Sequence, residues 1–229
     1  MNRTKIEWTD FSWNPITGCT KRCSYCYAWK LAAGRLRRIY LANLKVASDC
    51  DPYDPFSPRF WPDRLDEPLK RKKGIKIFVV DMGDFLDPYV SYSWREKVLD
   101  VVRHCPQHIF QFLTKQPKKL AEHDWPENAW VGITANDGLM AYYSLGYLRK
   151  VNASVKFISF EPLFGEISVD ISELDWIIIG AQTKPEQQPE RTWVEGILRN
   201  AGDVPVFMKD NLKWPNRRRE WPTVRSLKA

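Results

Sequence analysis

Cys19, Cys23 and Cys26 crowd into the stretch GCTKRCSYCYA, residues 18–28, separated by three residues and then by two. Three neighbouring thiols can pair as disulfides, coordinate zinc or carry an iron–sulfur cluster. Disulfides inside the triplet would close very short loops and stabilise little. A structural zinc ion takes four ligands, commonly as two close pairs. No fourth ligand lies beside the triplet: Cys50, Cys105, His104, His108 and His123 are distant in sequence, and zinc requires one of them to fold back. A [4Fe–4S] cluster suits thiolates and has four corners, so three cysteines leave one iron open to a substrate or cofactor. Lys21 and Arg22 lie between the first two cysteines and add positive charge that an anionic cluster or a polyanion would favour.

Other polar residues stand where apolar runs end. IKIFVV leads into Asp81, Met82, Gly83 and Asp84, and HIFQFLTK (108–115) ends in Thr114 and Lys115. AWVGITAND (129–137) ends in Thr134, Asn136 and Asp137, and VKFISFEP (155–162) reaches Glu161. DWIIIGAQT (175–183) ends in Gln182 and Thr183, and VPVFMKD (204–210) in Lys209 and Asp210. A charged side chain directly after a long apolar run usually has a partner or a ligand, which marks Glu161 and Lys209. Thr134, Asn136 and Asp137 also have a plainer reading, because they precede a helical stretch and can cap it.

The runs themselves define the elements that must position these groups. An apolar run bounded by polar residues reads as a buried parallel strand. Six such strands from residue 75 onward, and a first one at 11–17, alternate with helical stretches at 94–104, 118–122, 139–151 and 191–201. Alternation of this kind implies parallel β/α units with right-handed crossovers. The expected fold is α/β, a partial or near-complete parallel barrel of six to seven units, with an open doubly wound sheet as the alternative. In either, the carboxyl ends of the strands gather on one face, and the cysteine loop follows the first strand directly onto it. Residues 28–44 read as a basic helical stretch and 48–68 as an irregular excursion rich in proline and aspartate. One domain is expected over 1–211, with a basic extension over 212–229.

The C-x3-C-x2-C spacing, with Tyr25 before the third cysteine, resembles the radical SAM superfamily. KIEWTDFSWNPITGC, DMGDFLDP, HIFQFLTKQP, WVGITAND, SFEPLFG, DWIIIGAQT and VFMKD look like a phage-associated branch of uncharacterised proteins with a three-cysteine motif, over most of residues 5–211. Many members of that branch have a longer gap between the first two cysteines; this chain has the short gap of the wider superfamily. The resemblance implies that Cys19, Cys23 and Cys26 hold a [4Fe–4S] cluster whose open iron binds S-adenosylmethionine. Reductive cleavage of that cofactor yields a 5′-deoxyadenosyl radical, which abstracts hydrogen from a substrate. It places Tyr25 near the adenine, and Gly83 with Asp81 or Asp84 at the cofactor's amino group, where DMGD departs from the GGE-like segment common in the superfamily. Thr134, Asn136 and Gln182 fall to the ribose, carboxylate or adenine, and Glu161, Lys115 and Lys209 face the substrate. Acidic neighbours suit a cationic amine, and short polar chains suit ribose hydroxyls. A reductant such as flavodoxin or ferredoxin is the implied partner.

Composition narrows the setting. The N-terminus has no apolar core and the apolar runs are too short to span a bilayer, so a cytoplasmic protein without membrane contact is expected. In a reducing compartment clustered thiols are metal ligands rather than disulfides. Buried free cysteine is common, and Cys105 reads as core; Cys50, in a polar loop, has the same plain reading, with a reactive thiol or extra ligand as the alternative. A net charge of +7 favours polyanions, with basic segments at Arg35–Arg38, Lys70–Lys73 and Arg217–Arg219. The eleven tryptophans either fill the core or stack on bases. A nucleic acid or nucleotide is one expected substrate class, with a peptide or a small metabolite left open beside it, and a non-catalytic, metal-containing nucleic-acid-binding protein is the alternative reading.

Overall fold

Period-free apolar runs become strands here because both of their faces are covered. The computed structural model describes residues 1–42 and 44–223. The strands form a large, mostly parallel sheet, and the chain divides into two compact units.

The first unit holds residues 1–112 and 125–129. It contains β1 (Asn2–Arg3), β2 (Phe11–Trp13), β3 (Ile16–Thr17), α1 (Tyr27–Ala33), α2 (Arg37–Leu41), β4 (Arg59–Phe60), β5 (Lys76–Val79), α3 (Tyr92–Arg103) and the start of β6 (Ile109–Thr114). β2 pairs in parallel with β5, Phe11 opposite Ile77, and β5 with β6, Val79 opposite Phe112. β1 adds an antiparallel edge. The strand expected at 11–17 is broken in two. Pro15 has no N–H to give a ladder, its carbonyl accepts from Trp61 N at 2.7 Å, and Ile16–Thr17 pairs with β4 instead. The helix expected over 28–44 is likewise split, since α1 ends at Gly34, whose N–H returns to Lys30 O at 3.1 Å. Ser91 caps α3, accepting from Trp94 N at 3.3 Å.

The excursion at 48–68 is ordered from within. Arg59 is fully buried in it, and its guanidinium donates to the carbonyls of Tyr40, Pro52, Asp54 and Ser57 at 2.6–3.0 Å.

The second unit holds residues 113–124 and 130 onward. β7 (Ala129–Thr134), α4 (Gly138–Leu148), β8 (Val155–Phe160), β9 (Trp176–Ile179), the small hairpin β10 (Gln182–Thr183) and β11 (Glu186–Gln187), α5 (Arg191–Ala201) and β12 (Val206–Met208) follow in order. β7, β8, β9 and β12 lie side by side in parallel, with Thr134 opposite Ser159, Phe160 opposite Ile179 and Ile179 opposite Met208. Asp137 caps α4, accepting from Met140 N at 2.8 Å. Part of the basic extension lies against this sheet. Met208 N donates to Arg218 O and Glu220 N to Val206 O, and Trp221 stacks on fully buried Trp176 with ring centres 5.0 Å apart. Residues 224–229 of the extension fall outside the described residues. Among the described residues no helix is long and apolar enough to cross a membrane.

Six of the eleven tryptophans are buried and none is exposed, so most of them build the core. Arg35, Arg37, Arg38 and Lys70–Lys73 are solvent-exposed.

Candidate functional site

The cysteine loop leaves β3 through Gly18, whose φ of +93° is a left-handed conformation open to glycine. Its backbone is stitched to the end of β5. Gly18 N donates to Met82 O at 2.9 Å and Asp84 N to Gly18 O at 3.2 Å. Gly83 faces Gly18 across this bridge, and a Cβ on Gly83 would lie 2.5 Å from Gly18 O. Cys19 N donates to Phe56 O at 2.9 Å. Thr20 is held through both its N–H and its hydroxyl, which donate to one oxygen of fully buried Asp87 at 2.7 and 2.8 Å. Arg22 is ion-paired with Asp54, so one of the two cations inside the triplet is already balanced.

None of the three cysteines is in a disulfide, and all three are half-buried. Cys26 Sγ caps α1 by accepting from Trp29 N at 3.3 Å, and Cys19 Sγ accepts from Lys21 N at 3.4 Å. Amide donors of this kind tune sulfur ligands of iron. Cys19 and Cys26 pack on an apolar floor of Ala28, Tyr40, Phe56, Trp61 and Met82. Burial, reinforced by Asp84, pushes the Cys19 thiol far above its ordinary value. A cluster takes one thiolate per iron corner and so needs sulfurs spread around it. Three thiols outside any disulfide, with amide donors to two of them and an apolar floor under two, are of the kind that holds an iron–sulfur cluster.

Asp81 is half-buried and burial pushes its carboxyl upward. It accepts from the Asn14 side chain, while Tyr27 Oη donates to the Asp81 carbonyl at 2.7 Å. Asn14 Oδ1 in turn accepts from Met82 N at 2.9 Å. Asp84 is buried and accepts from Leu86 N at 3.0 Å. Tyr25 is half-buried on the same loop as the thiols. Asn14, Thr20, Tyr27 and Asp87 were not singled out from sequence. Asp87 was visible within DMGDFLDP as one more carboxylate after a strand, and Asn14 as a polar residue interrupting one. Cys50 is half-buried, and Cys105 is fully buried with its thiol pushed up by that burial. Cys105 is thus a core residue.

The second unit carries its own group of strand-end residues. Glu161 and Lys209 form an ion pair just beyond β8 and β12, with 23% and 14% of their side chains exposed. Gly180 lies beside both: a Cβ there would be 3.1 Å from Glu161 Cγ and from Lys209 Cδ. Thr134 and Asn136 are buried at the end of β7. Asn136 donates its amide to Pro162 O and its carbonyl accepts from Phe164 N at 2.7 Å. Gln182 donates to Pro185 O at 2.7 Å, closing the β10–β11 hairpin. The amides of Asn136 and Gln182 thus shape loops around the strand ends. Asn211 ties the segment after β12 to Ala181 with two hydrogen bonds of 2.7 and 3.3 Å. Lys115 is half-buried after β6.

Residues 3–225 match the family described as "Protein of unknown function (DUF5131)". Two solved structures of spore photoproduct lyase share the fold. A tyrosine-to-phenylalanine mutant matches with a TM-score of 0.54 at 11% identity, covering 89% of this chain and 64% of that one. A cysteine-to-alanine mutant with dinucleoside spore photoproduct matches with a TM-score of 0.55 at 10% identity, covering 89% and 63%. The chain thus spans less than two thirds of the structures it resembles. No curated protein matches it.

Proposed function

The chain belongs to the DUF5131 family of proteins of unknown function, so its chemistry has to be read from its own residues, and we propose that it is a radical SAM enzyme with a partial parallel β/α barrel. The observation that carries this reading is the cysteine loop: three half-buried thiols outside any disulfide, two of them hydrogen-bonded by backbone amides, follow the first parallel strand. Support comes from the shared fold, since spore photoproduct lyase is a radical SAM enzyme that uses a [4Fe–4S] cluster and S-adenosylmethionine. The resemblance to a phage-associated branch rests on the sequence motifs alone.

In this reading Cys19, Cys23 and Cys26 hold the cluster. When bound, the cluster supplies the electron that cleaves S-adenosylmethionine to the hydrogen-abstracting radical. The protein's part is positioning and exclusion of water. Gly18 and Gly83 bring the loop against the end of β5, and Asp87 fixes it through Thr20. The apolar floor keeps water from the sulfurs. Asp81 or Asp84 offers negative charge to the cofactor's amine, with Gly83 allowing close approach and Tyr25 beside the adenine. Thr134, Asn136 and Gln182 serve the rest of the cofactor, and Glu161, Lys115 and Lys209 the substrate, which we take to be a nucleic acid or nucleotide in view of the +7 charge. A flavodoxin- or ferredoxin-like protein would supply the electron in the cytoplasm.

Anaerobic reconstitution with iron and sulfide tests the reading. About four irons per chain should be retained, and dithionite with S-adenosylmethionine should release 5′-deoxyadenosine. Cys19→Ala, Cys23→Ala and Cys26→Ala should each lose most of the iron. Zinc at one ion per chain, or a fully loaded cluster that cleaves no cofactor, would overturn it.

A further inference from the structure

The outer face of α4 is apolar where a surface helix is normally polar. Leu139, Tyr142 and Tyr143 are 68%, 65% and 62% exposed, and exposed Gly146 continues the stripe. Residues spaced by three and four share one side of a helix. The buried side carries Ala141, Ser144, Leu145 and Leu148, so α4 is already seated on its own unit. That packing makes no use of the exposed stripe. Gly146 is the second anomaly. Glycine inside a helix is a much poorer helix former than alanine. A Cβ on Gly146 would meet nothing within 4 Å among the described residues. No contact within the chain calls for the missing side chain, but the close approach of another backbone would.

The stripe is symmetric. Its residues are spaced by three, one and three, and the spacing reads the same in reverse. A second α4 laid antiparallel across the first therefore sets Leu139 against Gly146 and Tyr142 against Tyr143. A large side chain enters the gap over a glycine at each end, and tyrosine rings meet at the centre. The charges at the helix ends fit the same arrangement. Asp137 and Glu166 are exposed at the N-terminal end, where a Cβ on Gly138 would lie 2.8 Å from Glu166 O. At the C-terminal end Arg149 is balanced by Glu173, while Lys150 is exposed and has no ion pair among the described residues. An antiparallel copy brings the carboxylate end of one helix to the lysine end of the other and opposes the two helix dipoles favourably. A parallel copy would set like charges together. Two carboxylates at one end also disfavour a phosphate backbone or an anionic membrane surface.

We propose that the exposed face of α4 is the interface of a homodimer with two-fold symmetry. The same residues serve on both copies, as an isologous contact requires. One helix face lies at the small end of specific interfaces, below about 1,200 Å², so the dimer exchanges with monomer. Dimerisation through α4 is independent of whether the chain carries a cluster.

Sedimentation velocity of the full chain tests the interface, at concentrations from about 1 μM to about 1 mM. The mass should rise from that of the 26.9 kDa monomer towards twice that value. Tyr143→Glu, on the exposed face, should weaken association about tenfold or more. Gly146→Ala separates an interface from a local role. It should raise the melting temperature of the dilute chain, because alanine is the better helix former, and yet weaken association. Lys150→Glu should weaken association, and Glu166→Lys added to it should restore it. A chain that stays monomeric throughout overturns the proposal, whether or not it binds anionic vesicles or an oligonucleotide. So does a dimer that Tyr143→Glu and Gly146→Ala leave unchanged. Association that Lys150→Glu does not weaken, or that Glu166→Lys does not recover, overturns the antiparallel pairing. If Tyr143→Glu fails to fold, Gly146→Ala and the charge reversal decide.

Discussion

At the scale of residues, the groups that matter most are those whose burial needs a reason. Arg59 spends its guanidinium on four backbone carbonyls and so converts a loop of prolines and aspartates into a fixed wall beside the cysteine floor. Asp81 shows the opposite balance. Burial raises its carboxyl above the ordinary range even though Asn14 donates to it. A raised carboxyl binds its proton more tightly in the folded chain than in the unfolded one. Its contribution to stability is therefore complete below the unfolded value of about 3.9 and is lost as pH rises through the folded value. Asp81→Asn should remove that slope. Urea denaturation of the two proteins, compared from pH 4 upward, should show the variant gaining stability relative to wild type as pH rises. A constant difference would mean that Asp81 titrates alike in both states.

At the scale of elements, the cysteine loop is placed by a glycine pair rather than by its cysteines. Gly18 turns through positive φ and Gly83 meets it at backbone distance. Gly83→Ala would drive a Cβ to 2.5 Å from Gly18 O and 2.8 Å from Gly18 N, with backbone on both sides. The loop must shift. A loss of about 1–3 kcal/mol is expected, as for other overpacked sites, together with reduced iron uptake on reconstitution. Melting and iron analysis of one preparation would show both; wild-type iron content would mean that the loop does not depend on this approach. The same pair explains why the first strand could not be read as one piece. Pro15 ends the ladder, and the chain needs that break to swing Ile16–Thr17 onto β4 and carry Gly18 to Gly83.

At the scale of the molecule, composition proved an ambiguous guide to binding. The tryptophans that seemed available for stacking on bases are mostly core, and many surface basic residues, Lys213, Arg217, Arg218 and Arg219 among them, are matched by carboxylates. The stretch after β12 belongs to the second unit's packing. Trp221 covers Trp176 and Phe207, with ring centres 5.0 and 5.5 Å away. Trp221→Ala should cost about 2 kcal/mol, less than a fully buried tryptophan because this one is half-buried. A change in urea midpoint measures it, and no change would return this stretch to the status of an appendage.

The parallel β/α series was legible in the sequence because strands covered on both faces must be apolar throughout, and Trp176–Ile179 and Ile109–Thr114 carry that signature without tertiary help. The triplet of Cys19, Cys23 and Cys26 was legible for a similar local reason, since three ligands within one loop need no distant partner to be noticed. Strand ends also marked Glu161 and Lys209 as residues worth attention. Their union was not legible: 48 residues separate them, and only the parallel register of β8, β9 and β12 sets them side by side. Asp87 on Thr20, Asn14 on Asp81 and Arg59 on four carbonyls were hidden for the same reason. A hydrogen bond between remote residues leaves no periodicity in the chain, so its partners are chosen only when the backbone has folded.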